Sequence, residues 1–158
     1  MKRENNIYVQ RAKATAKTKP LVDDIVKTLS SEEQRMLGVY NDEYLTIPAG
    51  GHVIKRFLKI SDNTPVAVFD LFEEWSYIDV AVATRNDKNY RGHGYALNLA
   101  QSAIKWYTAH RSDFDNKPLL WITRKDNMAS NQLALKIGMH PDDTYNKSNE
   151  VWNCYRYS

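Results

Sequence analysis

Apolar residues recur along this chain with two periods, and the points where one period gives way to the other mark out its elements. Residues 6–12 read as a short strand. From Pro20 the spacing of Leu21, Ile25, Val26 and Leu29, and later of Met36 and Leu37, is helical. Ser30-Ser31-Glu32-Glu33 interrupts that stretch, with Ser30 placed to cap a second helix and Glu33 three residues on to reciprocate. Pro48-Ala49-Gly50-Gly51 is a turn. Residues 53–60 and 65–72 read as two strands of a hairpin, joined by the polar Ser61-Asp62-Asn63-Thr64. Residues 77–83 alternate and are rich in β-branched side chains, as a strand requires. A polar loop over 85–89 follows.

At Gly94 the pattern turns to a long amphipathic helix, with Ala96, Leu99, Ala100, Ala103, Ile104 and Tyr107 on one face. After a loop over 113–117, residues 118–123 form an apolar run with too few polar positions for a wet face, so this strand is expected at the centre of a sheet. Residues 129–137 predict a helix that stops at Gly138, a natural residue for its C-terminal turn. Residues 150–157 alternate again as a final strand, which can lie exposed at a sheet edge and pair with a second subunit, giving a homodimer. The order predicts an α+β fold, a mixed central β-sheet flanked by helices. With 158 residues and no internal repeat, the chain is read as a single domain over 1–158.

Composition narrows the function. A hydrophobic share of 42% and a charged share of 26% describe a globular protein with a usable core. No apolar run reaches the roughly 20 residues of a membrane span, and no apolar segment follows the basic N-terminus as a secretory signal would. The lone Cys154 rules out a disulfide framework within the chain. His52, His93, His110 and His140 show no ligand spacing, so no metal is expected. These features fit a cytoplasmic enzyme. The net charge of +3 is concentrated in residues 1–19, where six basic residues stand against Glu4 alone. A lone Tyr8 does not interleave aromatics with these charges as a nucleic-acid platform would, so they read as a solvated arm rather than a nucleic-acid site.

The segment richest in chemistry is the junction of strand, loop and long helix at Tyr90-Arg91-Gly92-His93-Gly94-Tyr95-Ala96. The first N–H groups of a helix lack intrahelical partners and lie at the positive end of its dipole, an arrangement suited to phosphate. Glycine allows a ligand close to the backbone. A plain tight turn before a helix would use the same residues. The segment is neither a P-loop, lacking Gly-Lys-Ser/Thr, nor a dinucleotide fingerprint, lacking the third glycine and the acidic ribose ligand.

Arg91-x-x-Gly94-x-Ala96, preceded by Tyr90 and a strand, resembles motif A of the GNAT superfamily of N-acetyltransferases. Trp121-Ile122-Thr123, Asn127-x-x-Ser130-Asn131 and Ala134-Leu135-Lys136-Ile137-Gly138-Met139 are similar to its motif B. The resemblance covers residues 78–140 and implies an enzyme that moves an acetyl group from acetyl-CoA to a primary amine by direct attack in a ternary complex. It also implies that Arg91, Gly92, His93, Gly94, Tyr95 and Ala96 hold the coenzyme A pyrophosphate. Val80, Ala81 and Val82 would meet the pantetheine and acyl carbonyl through their backbone, and Asn127 would contact the cofactor unless it only caps a helix. Asp79 is the first candidate base, with Glu73 and Glu74 behind it; each also reads as a surface charge.

Many members of the family carry a tyrosine as general acid where this chain has Ala134. Ser130 matches the serine of a subset acting on protein termini or small amines, and also reads as a first-turn cap. Tyr145, Tyr155 and Tyr157 are further possible donors, and Cys154 reads as a buried thiol. The missing tyrosine leaves open a non-catalytic acyl-CoA-binding or interaction module. The acceptor, a small molecule or a protein amine, would be set by the first helices and by the loops before the last strands, around residues 37–51 and 141–150. Asp42, Glu43, Asp142, Asp143 and Glu150 there suggest that it is cationic.

Overall fold

Seven strands and four helices, among the described residues, build a twisted sheet with a helical layer on each face. The computed structural model describes residues 4–10, 12–37, 53–87, 89–147 and 149–157. In chain order these are β1 (Glu4–Gln10), α1 (Ala12–Val26), α2 (Ser31–Leu37), β2 (Val53–Ser61), β3 (Thr64–Glu73) and β4 (Ile78–Thr84). Then come α3 (Tyr95–His110), a 3-10 turn (Arg111–Phe114), β5 (Leu119–Arg124), α4 (Met128–Lys136), β6 (His140–Lys147) and β7 (Glu150–Tyr157). The strand order is β1-β2-β3-β4-β5-β7-β6, and every neighbouring pair is antiparallel except β4 and β5. The sheet is therefore mixed, as expected.

Local chemistry explains most boundaries. Asp62 and Asn63 both take positive φ, 52° and 65°, the geometry of the two-residue turn that matches strand twist in a hairpin. Ser30 and Glu33 form the reciprocal cap, each side chain bonded to the other's backbone N–H at 3.1 Å. Gly138 (φ 91°) ends α4 in a Schellman turn, with Met139 N–H donating to Ala134 O and Gly138 N–H to Leu135 O.

Three expectations are corrected. α1 starts at Ala12, not at Pro20, and carries Pro20 in its interior. Ala12, Ala14 and Ala16 favour helix strongly, and buried Thr18, Val22, Ile25 and Val26 continue one face through the proline, offsetting its lost hydrogen bond. Residues 140–147 form a strand, although Pro141, Asp142 and Asp143 read as loop; β6 is an edge strand with exposed, polar side chains, where such residues are tolerated. As a result β7 is not an edge but lies between β5 and β6. The turn at Pro48–Gly51, with Asp42 and Glu43, falls outside the described residues.

Two cores result. On one face α3 buries Tyr95, Leu99, Ala100, Ala103 and Tyr107 against Phe69, Leu71, Val80, Trp121 and Tyr155. On the other, α1 buries Val22, Ile25 and Val26 against Leu58, Val68, Phe72, Ala81 and Ala83. Beneath α1 a buried ion pair ties β2 to β3: Arg56 Nε and Nη2 donate to the two carboxylate oxygens of Asp70, each at 2.8 Å. Arg56 Nη1 also donates to Thr18 Oγ1 on α1 at 2.9 Å.

Candidate active site

The alternation of β4 places Val80 and Val82 toward α3, and Asp79, Ala81 and Ala83 toward α1. β4 and β5 run parallel and meet in register only at Ile78 and Leu119, so the two strands part toward their C-terminal ends. The gap is a cleft of about 810 Å³. Its lining comes from both faces of the sheet. Val80, Val82, Ser130 and Leu133 line it from the α3 and α4 side, and Asp79, Ala81, Glu33 and Tyr145 from the other.

Gly92 (φ 85°) and Gly94 (φ 73°) shape one end of this cleft. Gly94 is the residue that caps α3, in left-handed conformation and with no side chain to satisfy the helix amides. The N–H groups of Tyr95, Ala96 and Leu97 thus start the helix without an intrahelical acceptor, since the first such bond is Asn98 N–H to Gly94 O. A Cβ built on either glycine would meet nothing within 4 Å. The space beside the backbone is open, and its dipole suits a diphosphate.

The loop before the cradle is anchored to α1 and α2. Arg85 is buried, donating to Pro65 O and pairing with Asp24 and Asp87. Asn86 N–H donates to Thr28 Oγ1 at 2.9 Å, and Asn86 Nδ2 to Glu33 Oε1 at 2.8 Å. Arg91 pairs with Glu33 at 2.5 Å and donates to Thr84 O. Burial pushes the Glu33 carboxyl up, but the Ser30 N–H and Arg91 outweigh it and hold it below the usual range. His93 is exposed, its Nε2 2.8 Å from Asn89 O and its ring stacked on Tyr95. Arg91 and His93 therefore border the cradle with side chains already in use.

The first-choice residues for cofactor and catalysis all line this one cleft: Asp79, Val80, Ala81, Val82, Arg91, Gly92, His93, Gly94, Tyr95, Ala96, Asn127 and Ser130. Asn127 caps α4, its side chain accepting the Ser130 N–H. Ser130 is not the cap. Its Oγ accepts the Trp121 indole N–H at 2.9 Å, which leaves the hydroxyl proton to be donated elsewhere. Asp79 Oδ1 accepts the Val80 N–H at 2.8 Å. Glu73 does not line the cleft and pairs with Lys117, whose Nζ also donates to Glu74 O.

Of the reserve tyrosines only Tyr145 lines the cleft. Tyr155 is buried and donates to Asn131 Oδ1 at 2.7 Å, within a network where Asn131 Nδ2 holds the end of β5 through Arg124 O. Tyr157 packs edge-on against Tyr107. Cys154 is buried and off the cleft; burial pushes its thiol up to about 11, the carboxylates of Asp142, Asp79 and Asp143 adding to the shift. Sequence reading missed Tyr77, Trp121 and Trp152, which line the cleft. Burial raises the Tyr77 phenol to about 12, with the nearby charge of Asp79 contributing. Among the described residues no cluster of acidic, His or Cys side chains could hold a metal, and no helix is long and apolar enough to cross a membrane.

Comparisons with known proteins bear on the family and the fold. A family model described as Acetyltransferase (GNAT) family matches residues 20–139. No curated protein matches the chain at a significant level. Among solved structures, a GNAT-family acetyltransferase from Bacillus anthracis is similar, with a TM-score of 0.66 at 17% identity, over 96% of this chain and 92% of that one. RimL, the ribosomal L7/L12 alpha-N-protein acetyltransferase solved with coenzyme A, gives 0.60 at 17%, over 90% and 89%. A Bacillus anthracis str. Ames protein assigned as a streptothricin acetyltransferase, solved with acetyl coenzyme A, gives 0.53 at 20%; the match spans 66% of this chain and 61% of that one.

Proposed function

Because the chain belongs to the GNAT acetyltransferase family, whose members use acetyl-CoA, we propose that it transfers an acetyl group to a primary amine by direct attack in a ternary complex. One observation carries the reading. The cleft between β4 and β5 opens on both faces of the sheet, with the amide cradle at one end, so donor and acceptor can meet inside it.

Acetyl-CoA supplies a thioester carbonyl already activated toward an amine. The amides of Gly92–Ala96 hold its diphosphate against the start of α3. The β4 edge at Val80, Ala81 and Val82, which β5 leaves beyond Ile78, faces the pantetheine arm and orients the carbonyl. Asn127, committed to capping α4, shapes the wall beside it. Asp79 takes the proton from the incoming ammonium, so that the amine attacks as a neutral nucleophile. Ser130, oriented by the Trp121 indole, donates a hydrogen bond to sulfur as the carbon–sulfur bond breaks; coenzyme A leaves as the thiolate, which takes up the second proton that the nitrogen loses on becoming an amide. Cys154 is buried with its thiol protonated at neutral pH, which argues against an acyl-enzyme on that residue. Its thiol needs no oxidising compartment, and we place the enzyme in the cytoplasm.

Thiol release from acetyl-CoA, measured with a panel of primary amines, tests the proposal. Intersecting initial-rate lines when both substrates are varied are expected; parallel lines would replace direct attack with a covalent intermediate. Coenzyme A binding with no turnover on any amine would point to an acyl-CoA-binding module instead.

A further inference from the structure

Glu33 reads in the sequence as half of a helix cap, but its carboxylate also reaches far along the chain. Oε1 accepts the Ser30 N–H at 3.1 Å, the capping contact, and Asn86 Nδ2 at 2.8 Å; Oε2 stands 2.5 Å from Arg91 Nη1. Asn86 lies just past the end of β4, and Arg91 just before Gly92. One carboxylate therefore grips the approach to the cradle at two points. Its own mount is firm. A helix of seven residues is marginal alone, but Gln34 Nε2 on α2 donates to Leu29 O at 3.1 Å, and Arg35 Nη1 stands 2.7 Å from Glu150 on β7.

The cradle needs such a mount. Gly92 and Gly94 both hold positive φ, and glycine gives up more conformational freedom on ordering than any other residue. Backbone amides serve a diphosphate best when they already point at it. α3 fixes the downstream side of the two glycines, and Glu33 fixes the upstream side. Charge alone argues the other way, since Glu33 neutralises Arg91, and an uncompensated guanidinium would draw phosphate more strongly. The Arg91 side chain is 42% exposed and that of Glu33 29%, so solvent screens that gain, and positioning outweighs it.

We infer that Glu33 is a positioning residue for the cofactor, acting through Asn86 and Arg91 to hold the glycine amides in the arrangement that receives a diphosphate. The inference rests on the reading that these amides bind coenzyme A.

Calorimetric titration of coenzyme A into the full chain and its variants tests it. Glu33→Gln keeps an oxygen for Ser30 N–H and Asn86 but loses the charge that holds Arg91. It should weaken coenzyme A about threefold to tenfold, the scale of one side chain left to be ordered on binding. Glu33→Ala releases Asn86 as well and should weaken it beyond about tenfold. Ser30→Ala removes the cap but not the carboxylate, and should lower Tm while coenzyme A affinity stays within about twofold. In an Arg91→Ala background, Glu33→Gln should change nothing further. Pantetheine, which lacks the diphosphate, should bind the parent and Glu33→Gln alike. Unchanged or tighter coenzyme A binding in Glu33→Gln, an equal loss in Ser30→Ala, or a further loss in the Arg91→Ala background would overturn the inference and leave the cradle standing. A parent chain that binds coenzyme A no better than pantetheine would sink the cradle and the inference together.

Discussion

Asp79 illustrates how a single residue is made chemically useful by its neighbours. The strand alternation sends it to the face away from α3, its own carboxylate accepts the next backbone N–H, and two phenols stand within reach of its charge. Asp79→Ala should lower kcat by about 10²–10⁴-fold, the range for loss of a general base, with acetyl-CoA affinity within about threefold of the parent. The acidic limb of the pH–rate profile should vanish with it; an unchanged profile would remove Asp79 from the role of base. Ser130 shows the complementary lesson. Its sequence position suits both a cap and a donor, and only the Trp121 indole bond, between residues nine apart on different elements, separates the two. No local pattern carries that information.

At the scale of elements, the glycine cradle is the part with the most specific chemistry. Gly94→Ala keeps the open space but forces a Cβ into a left-handed conformation, at about 1–2 kcal/mol; Gly94→Glu adds a carboxylate where a diphosphate would lie. Calorimetry should find coenzyme A binding weakened in the first and abolished in the second, and retained affinity in Gly94→Glu would count against the site. The cradle was legible in the sequence because helix starts and glycines announce themselves locally, as did the Ser30–Glu33 cap and the Asp62-Asn63 hairpin. β6 was not, because an exposed edge strand has no apolar alternation to display. The start of α1 was hidden by a proline whose cost the burial of Thr18, Val22 and Ile25 offsets, a tertiary effect. Tyr77, Tyr145 and Trp152 escaped for the same reason: they come from three separate segments that only the folded sheet brings to one cleft.

For the molecule as a whole, one seven-stranded sheet carries both cores, which supports reading residues 1–158 as a single domain. A sensitive internal point is the Arg56–Asp70 pair, buried under α1. Asp70→Ala would strand a buried guanidinium and should cost about 3–5 kcal/mol, a large part of a typical folding free energy, read as a drop in the urea midpoint. Replacing both partners by apolar residues should restore most of it. The single point of registry between β4 and β5 has a different consequence. A sheet normally shares its cohesion evenly, but here two slabs, β1 to β4 and β5 to β6, are laced together along only a short stretch of backbone, and the remaining seam is left for a visitor to close. Coenzyme A should then act as mortar. Saturation at a hundredfold over Kd should add about 2.7 kcal/mol of stability, raising Tm, and amide exchange should slow most along the facing edges of β4 and β5.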